Sequence, residues 1–515
     1  MWRLARWIDV GLVLILLLAT ALRLLYLDHP FAEAHRWRSV TNADITRNFF
    51  LRSLNILYPQ VSWGGPEGYV GMEFPLLQWT TAVLYRLVGE REVLCRLVSI
   101  VFSLGAVAAI YALGRRLFGR AEGRAAAFLL AVSPSVVFFG RSFISDTPML
   151  LFSVASVLGF VAYLQDGRRL AVVLGSACLA LAGLVKLPAV VICAPIGWAA
   201  WKARRWACLR DPWLVGGITA ALLLVVAWYW HADRIYHMTG LTQAILHPSN
   251  DYAPAIATSM RQPVRVFHWG AFQLLLDPAF YTRMLDWTWH LHLTPVGFAL
   301  VLVALTTMTR VPGYGVAGVW LAAVVASMLF TAEGNFHHEF HQLPLMPPAA
   351  LLFGLVAAPL FDGPALRERL RGWWGPPVAA VLVVTLGLLS FHYSGVVRQL
   401  YRPRALDMGP IAVGHALRGA VPADQLLVTV EYQQYGINSP ILLYHAQRRG
   451  WSFDMRSISP HVIERLRSRF GARFFVTTLW PQLERQQPEV AEYLRQRPRV
   501  DLGPVPRGTA LFRLD

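Results

Sequence analysis

"RLVSIVFSLGAVAAIYALGRRLFG" (residues 96–119) is the stretch on which the reading of this chain turns. From Leu97 to Gly114 it carries no charged residue, and then it ends in Arg115 and Arg116. As a helix rising about 1.5 Å per residue, such a run is long enough to cross the hydrocarbon layer of a bilayer. The loop that follows, with Arg115, Arg116, Arg120 and Arg124, also orients it, because basic loops are retained on the cytoplasmic side.

Similar apolar runs lie near 9–27, 93–114, 124–142, 146–164, 169–185, 187–201, 213–230, 295–309, 315–332, 342–360 and 377–395, which predicts about 11 transmembrane helices. The first run follows Arg3 and Arg6 and contains a signal-like Ala-Thr-Ala at 19–21, but its apolar character continues beyond that point and reads as an uncleaved anchor. With the N-terminus in the cytoplasm, Arg115, Arg116, Arg120 and Arg124, then Arg168 and Arg169, then Lys202, Arg204 and Arg205, then Arg367, Arg369 and Arg371 all fall inside. That agreement requires "PLLQWTTAVLYRLVG" (75–89) to lie in the interface and not to cross.

Composition agrees with a polytopic α-helical membrane protein. The 515 residues are 56% hydrophobic, which excludes an ordinary soluble globule. The net charge of +17 belongs to loops between apolar runs, so anionic lipid is the expected partner and nucleic acid is not. Cys95, Cys178, Cys193 and Cys208 form no CxxC pair and suggest neither a disulfide framework nor a thiolate metal site.

The expected organisation is a transmembrane domain over 1–395, with outer loops 28–92, 231–294 and 331–344, followed by a small extracytoplasmic α/β domain over 396–515. In the latter, "QLLVTVEY" (425–432), "ARFFVTTL" (472–479) and "TALFRLD" (509–515) read as strands between helical patterns near 409–419, 438–447, 460–470 and 482–496. It has neither a glycine-rich phosphate loop nor an acidic cluster, so its expected role is to cover or select at the outer surface, or to be purely structural.

Four charged clusters gather on the outer face. "PFAEAHRWRSVTNADITRNFF" (30–50) holds Glu33, Arg38, Asp44 and Arg47, with Thr41 and Asp44 at the spacing of a helix cap on a helix along the leaflet. "GRSFISDTPML" (140–150) holds Arg141 and Asp146, "GLVKLP" (183–188) holds Lys186, and "EGNFHHEFHQLPLMPP" (333–348) holds His337 and His338. Singly, each acid reads equally well as a cap and each arginine as a chain snorkelling to lipid phosphate. Together they describe a pocket. Cations at membrane depth suit a lipid phosphate whose charge grows as a bond to it breaks, and nearby carboxylates suit activation of an incoming nucleophile. A transporter or flippase of a lipid-linked or anionic substrate is the main alternative, although such proteins usually place charge at mid-membrane. An O-antigen ligase-type enzyme would share the basic pocket.

The ordered set "HRWR" (35–38), "ITRNFF" (45–50), "GYVGMEFPLLQW" (68–79), residues 96–119, "FFGRSFISDTPML" (138–150), "GLVKLP" and "HQLPLMPP" (341–348) resembles the GT-C fold glycosyltransferases that use lipid-linked sugars, in the protein O-mannosyltransferase and aminoarabinose transferase branch. The resemblance covers roughly the first 350 residues. It implies an inverting transferase that moves a sugar from a polyprenyl-phosphate donor to lipid A, a glycolipid, a cell-envelope polymer or a protein, at the outer face of a bacterial inner membrane. It also implies a catalytic acid in the first outer loop, here Glu33 or Asp44, supported by Asp146 in the next. Many relatives have Asp where this chain has Thr41, so the choice between the two loop acids stays open. Arg38, Arg47, Arg141, Lys186, His337 and His338 are the candidates for the donor phosphate. Glu73 resembles a position that binds zinc with a histidine of a later loop, here His231, His237, His247, His268, His290 or His292. A divalent metal, Zn, Mg or Mn, is therefore a further expectation, against the simpler reading of Glu73 as a cap.

Overall fold

The computed structural model describes residues 9–243, 272–362, 395–396, 398–403, 405–433 and 438–515. The chain divides into two compact units, one of Met1–Leu27, Arg96–Trp228 and Phe267–Tyr401, the other of Asp28–Cys95, Tyr229–Val266 and Arg402–Asp515.

The first unit is helical. Among the described residues, four helices are long and apolar enough to cross a membrane: Glu92–Leu117, Asp146–Asp166, Pro212–Thr239 and Glu339–Leu360. The pair Pro278–His292 and Thr294–Thr307, bent by 108°, adds a fifth if it is one span. Val10–Leu24, Arg169–Val185 and Tyr314–Phe330 are shorter apolar helices. Two runs read as continuous are broken. The 124–142 run splits into Arg120–Val132 and Pro134–Phe139, because Pro134 has no N–H to continue the ladder and instead starts a new helix. The 187–201 run opens with a 3-10 turn, Leu187–Ile192, before the helix Cys193–Arg204. The run at 377–395 lies almost wholly outside the described residues.

A buried arginine explains how the first break is tolerated. Arg23, on the helix Val10–Leu24, donates to Ala131 O at 3.0 Å, to Leu130 O and Val136 O at 3.3 Å each, to Ala19 O at 3.0 Å and to Ser103 Oγ at 2.8 Å. The carbonyls freed where a helix ends are thus satisfied by a charged donor inside an apolar layer, where they have no water. Asp9 performs the reverse task at the head of the same helix. It accepts from Leu12 N, from Arg120 Nε at 2.7 Å, from Arg124 Nε at 2.9 Å and from the Tyr111 hydroxyl.

The second unit holds a five-stranded sheet, β1 (Leu426–Tyr432), β2 (Arg449–Asp454), β3 (Ala472–Thr477), β4 (Arg499–Val500) and β5 (Ala510–Arg513), in the order β2-β1-β3-β5-β4. β1 is parallel to β2 and β3, and β5 is antiparallel to β3 and β4. The three predicted strands are present; β2 and β4 were not legible, β2 because "RRGWSFD" offers only Trp451 and Phe453 as apolar residues between charges and β4 because it is two residues long. The helices Pro460–Phe470 and Pro488–Arg495 send Ile463, Leu466, Val490 and Leu494 into the core that the sheet shares.

The same core continues into the first long loop through Ile45, Phe49, Val61, Trp63, Val70 and Met72. The helix Arg36–Leu51 therefore differs from the expected helix along a leaflet: residues Ser39 to Phe49 are all buried. It also starts earlier than the Thr41 cap implied. His35 is the residue before it, and the Thr41 hydroxyl donates back to Trp37 O at 2.9 Å within the helix. The helix Leu76–Val88 confirms a short helical segment at 75–89, with Leu77, Gln78, Thr81, Ala82 and Tyr85 buried.

Replacing Arg23 by Met should lower the melting temperature of the detergent-solubilised protein, because five acceptors lose a charged donor at once. The expected loss is roughly 2–3 kcal/mol, with Arg23→Lys intermediate. An unchanged melting curve for Arg23→Met would remove the arginine from this structural role.

Candidate active site

In the second unit the two candidate acids of the first loop are both buried. Asp44 is 0% exposed and Glu33 4%. Asp44 faces Ser62, whose backbone N–H donates to Oδ2 at 2.7 Å and whose hydroxyl donates to Oδ1 at 2.5 Å. Asn48, one turn along the helix, donates to the Ser62 hydroxyl at 3.3 Å and accepts from Arg449 Nη1 at 2.5 Å. Arg449 reaches further, to Val61 O at 3.1 Å and Glu67 O at 2.7 Å. Gly68 makes that approach possible: it has φ +62, and a Cβ there would lie 2.1 Å from Val61 O and 2.7 Å from Arg449 Nη2.

Burial pushes the Asp44 carboxyl above its ordinary value, while the Ser62 hydrogen bonds and then the charges of Arg449 and Arg47 pull the other way. Arg449, in turn, is brought down to about 10, chiefly by its own burial. Glu33 lies 3.3 Å from His29 Nδ1. Arg47 donates to Tyr444 O at 3.2 Å and lies 3.4 Å from Glu90. Arg38 donates to Gln243 at 3.4 Å.

The first unit brings two of the predicted residues into direct contact. Asp146, in the first turn of Asp146–Asp166, and Lys186, the residue ending Arg169–Val185, form a buried ion pair. Lys186 Nζ also lies 5.0 Å from the centre of the Phe340 ring. A small cavity of about 20 Å³ adjoins it, lined among others by Thr331, Asn335 and His341. Arg141 is buried, donates to Tyr26 O at 2.6 Å and stacks its guanidinium 4.4 Å from the Tyr401 ring centre. His338 stacks on Phe340 with centroids 5.1 Å apart, whereas His337 is exposed.

Glu73 is half-buried, just after Gly71, whose N–H donates to Leu241 O at 2.9 Å. Among the described residues no group of three or more His, Cys, Asp and Glu side chains is placed to hold a metal ion. His231 is bonded to Leu57 O at 2.9 Å, His237 lies 3.5 Å from Asp233, His290 is 2.6 Å from Asp286 and His292 is 2.9 Å from Ser135 Oγ. His247 and His268 lie outside the described residues. The described residues thus assemble no donor set of three or more such side chains around Glu73.

Sequence reading did not find Ser62, Asn48 or Arg449. Ser62 is a lone serine in a loop, and Arg449 is separated from Asn48 by most of the chain, so no spacing links them.

Two stability predictions arise here. Removing one partner of the Asp146–Lys186 pair, by Asp146→Ala or Lys186→Ala, should cost about 3–5 kcal/mol because the remaining charge is stranded, while the double variant Asp146→Leu with Lys186→Met should recover most of it. Additive losses in that cycle would show that the pair is not coupled. For Asp44 the raised value sets the sign of the pH dependence. Its contribution to stability is fully present below 3.8, the ordinary value, and is lost as pH rises through its elevated one. The Ser62 bonds oppose that loss, so Ser62→Ala should cost about 1–3 kcal/mol at neutral pH and less near pH 4. An equal cost at both pH values would mean that Ser62 does not hold an ionised carboxylate.

Residues 72–230 match the family described as dolichyl-phosphate-mannose-protein mannosyltransferase. No curated protein matches the chain. Among solved structures, ArnT from Cupriavidus metallidurans bound to undecaprenyl phosphate aligns over 97% of each chain at 14% identity with a TM-score of 0.63. The archaeal oligosaccharyltransferase AglB from Archaeoglobus fulgidus, in complex with an inhibitory peptide and a dolichol-phosphate, aligns over 99% of this chain and 76% of its own at 11% identity and TM-score 0.54. The arabinofuranosyltransferase AftD from Mycobacteria aligns over 99% of this chain and 40% of its own at 15% identity and TM-score 0.56. The resemblance carried by the motifs is borne out at the level of the fold: the chain shares the GT-C fold of these glycosyltransferases, and part of it matches a mannosyltransferase family.

Proposed function

We propose that the protein is an inverting glycosyltransferase that moves a sugar from a polyprenyl-phosphate donor to a lipid, glycan or protein acceptor at the outer face of the bacterial inner membrane. The observation that carries this reading is the likeness along nearly the whole chain to ArnT, whose structure holds undecaprenyl phosphate. About eleven spans, an extracytoplasmic active site and an extracytoplasmic C-terminal α/β part belong to the same proposal.

The chemistry balances without a cofactor. An acceptor hydroxyl attacks the anomeric carbon, the bond from that carbon to the phosphate oxygen breaks, and polyprenyl phosphate leaves with the electron pair. Lys186 and Arg141 are the buried cations proposed to neutralise it, Lys186 by exchanging Asp146 for the phosphate. A loop carboxylate takes the hydroxyl proton. Glu33 is favoured for that step because both oxygens of Asp44 are engaged by Ser62. Asp44 is then the residue that fixes the loop, and Asp146 the one that holds Lys186 until the donor arrives. Arg38 and Arg47 already serve Gln243, Tyr444 and Glu90 and contribute to the donor site at most by their field.

Orientation is checked with cysteines at exposed positions. Glu67→Cys and Gln486→Cys should react with a membrane-impermeant maleimide added outside, and Arg168→Cys should not. The reverse pattern would invert the proposed topology. For the reaction itself, purified protein with radiolabelled polyprenyl-phosphate sugars and a membrane extract should transfer label to one fraction. Glu33→Gln should lower that rate about 10²–10⁴-fold at unchanged melting temperature and donor binding. Asp44→Asn should instead lose stability, since the amide oxygen can accept from the Ser62 N–H but the amide nitrogen cannot accept from the Ser62 hydroxyl. Full activity in Glu33→Gln with total loss in a stably folded Asp44→Asn would exchange the two roles, and full activity in both would end the assignment of the loop acid.

A further inference from the structure

At the opposite pole of the sequence pattern from the charged clusters, the first unit contains a cleft of about 880 Å³. Its walls are Val161 and Leu164 from the end of Asp146–Asp166, Leu305 beyond the middle of Thr294–Thr307, and Trp198 with Lys202 from Cys193–Arg204. Arg310, in the link before the helix Tyr314–Phe330, completes it. This is the end of the unit at which Arg115, Arg116 and Arg204 close their helices and Arg169 opens the next one. Lys202, Ala203, Thr309, Arg310 and Pro312 are exposed, so the cleft opens to the surface.

Charge in the cleft has one sign. Lys202 Nζ lies over Trp198 and Trp201, 5.3 and 5.7 Å from the ring centres, and among the described residues neither Lys202 nor Arg310 is paired with a carboxylate. The acid nearest in sequence to the cleft wall, Asp166, is bonded to Arg116 at 2.7 Å, and Gln165 accepts from the same arginine at 3.0 Å. The residues that follow Ala203 in the chain suit the headgroup level of a bilayer. Trp206 is 75% and Leu209 66% exposed on a short 3-10 turn, and Arg205 stacks 4.5 Å from Trp201.

We infer that this cleft binds an anionic phospholipid of the leaflet at the basic end, its phosphate on Lys202 and Arg310 and its upper acyl chain against Val161, Leu164 and Leu305. An apolar cleft of this volume exceeds what a free phosphate needs and suits the glycerol and first chain carbons of a lipid. Two cations at its mouth, with no acid among its lining residues, supply the complementary charge. The site is separate in residues from the donor site and does not depend on which sugar is transferred.

Native mass spectrometry of the purified full chain, titrated with phosphatidylglycerol or phosphatidylcholine, tests this. The wild type should bind phosphatidylglycerol in preference. Lys202→Gln with Arg310→Gln should weaken that binding about thirtyfold, as the loss of two interfacial cations predicts, while Lys202→Arg with Arg310→Lys should retain it. Equal adducts of the two lipids on the wild type, or undiminished phosphatidylglycerol binding by the glutamine variant, would overturn the proposal. So would displacement of phosphatidylglycerol by millimolar inorganic phosphate, which would make the cleft a simple anion site.

Discussion

Asp44 sits without solvent exposure inside a helix, and one residue, Ser62, occupies both of its oxygens. A carboxylate in such a place is tolerated only if its acceptors are filled, so the loop that carries Ser62 has to come to the helix and stay there. The same residue fixes the loop on its other side, because its carbonyl accepts from Gly450 N at 2.9 Å while Gly65 N donates to Gly450 O at 2.7 Å. Gly450 belongs to β2, the edge of the sheet, which is thereby covered instead of left open for pairing. Arg449 adds a charged arm to Asn48 and to the carbonyls of Val61 and Glu67. Through these contacts a loop with little regular structure becomes part of the hydrophobic core of the second unit.

The helical unit follows a related rule with charges at helix ends. Asp9 collects Arg120 and Arg124 at the head of one helix, and Arg23 gathers the carbonyls left free where another stops. Asp211 precedes Pro212–Thr239, accepts from Trp213 N and Leu214 N, and is met by Tyr163 and Arg204. Asp146 and Lys186 form the remaining case, one at a helix start and the other at a helix end. In an apolar layer each such group has to find its partner within the protein. The Asp146–Lys186 pair differs in one respect: it stands beside an aromatic ring and a small cavity lined by both apolar and polar side chains.

Some of this was determined by the sequence alone. Hydrophobic length marks helices such as Glu92–Leu117 because the thickness of a bilayer sets a scale that local composition has to match. The ordered short motifs carried the fold, and Asp44, Arg47, Arg141, Asp146 and Lys186 within them are buried. Other features depended on distant partners. Whether Asp44 caps its helix or is held from the side could not be read from Thr41, because Ser62 answers that question from a loop with no periodicity. That Asp146 and Lys186 are one ion pair, and that Arg23 mends the break at Pro134, rests on helices brought side by side. Spacing along the chain records which face of a helix is apolar, but hydrogen-bond partners are chosen in space. Tertiary structure therefore decided which partner each of these charged residues meets.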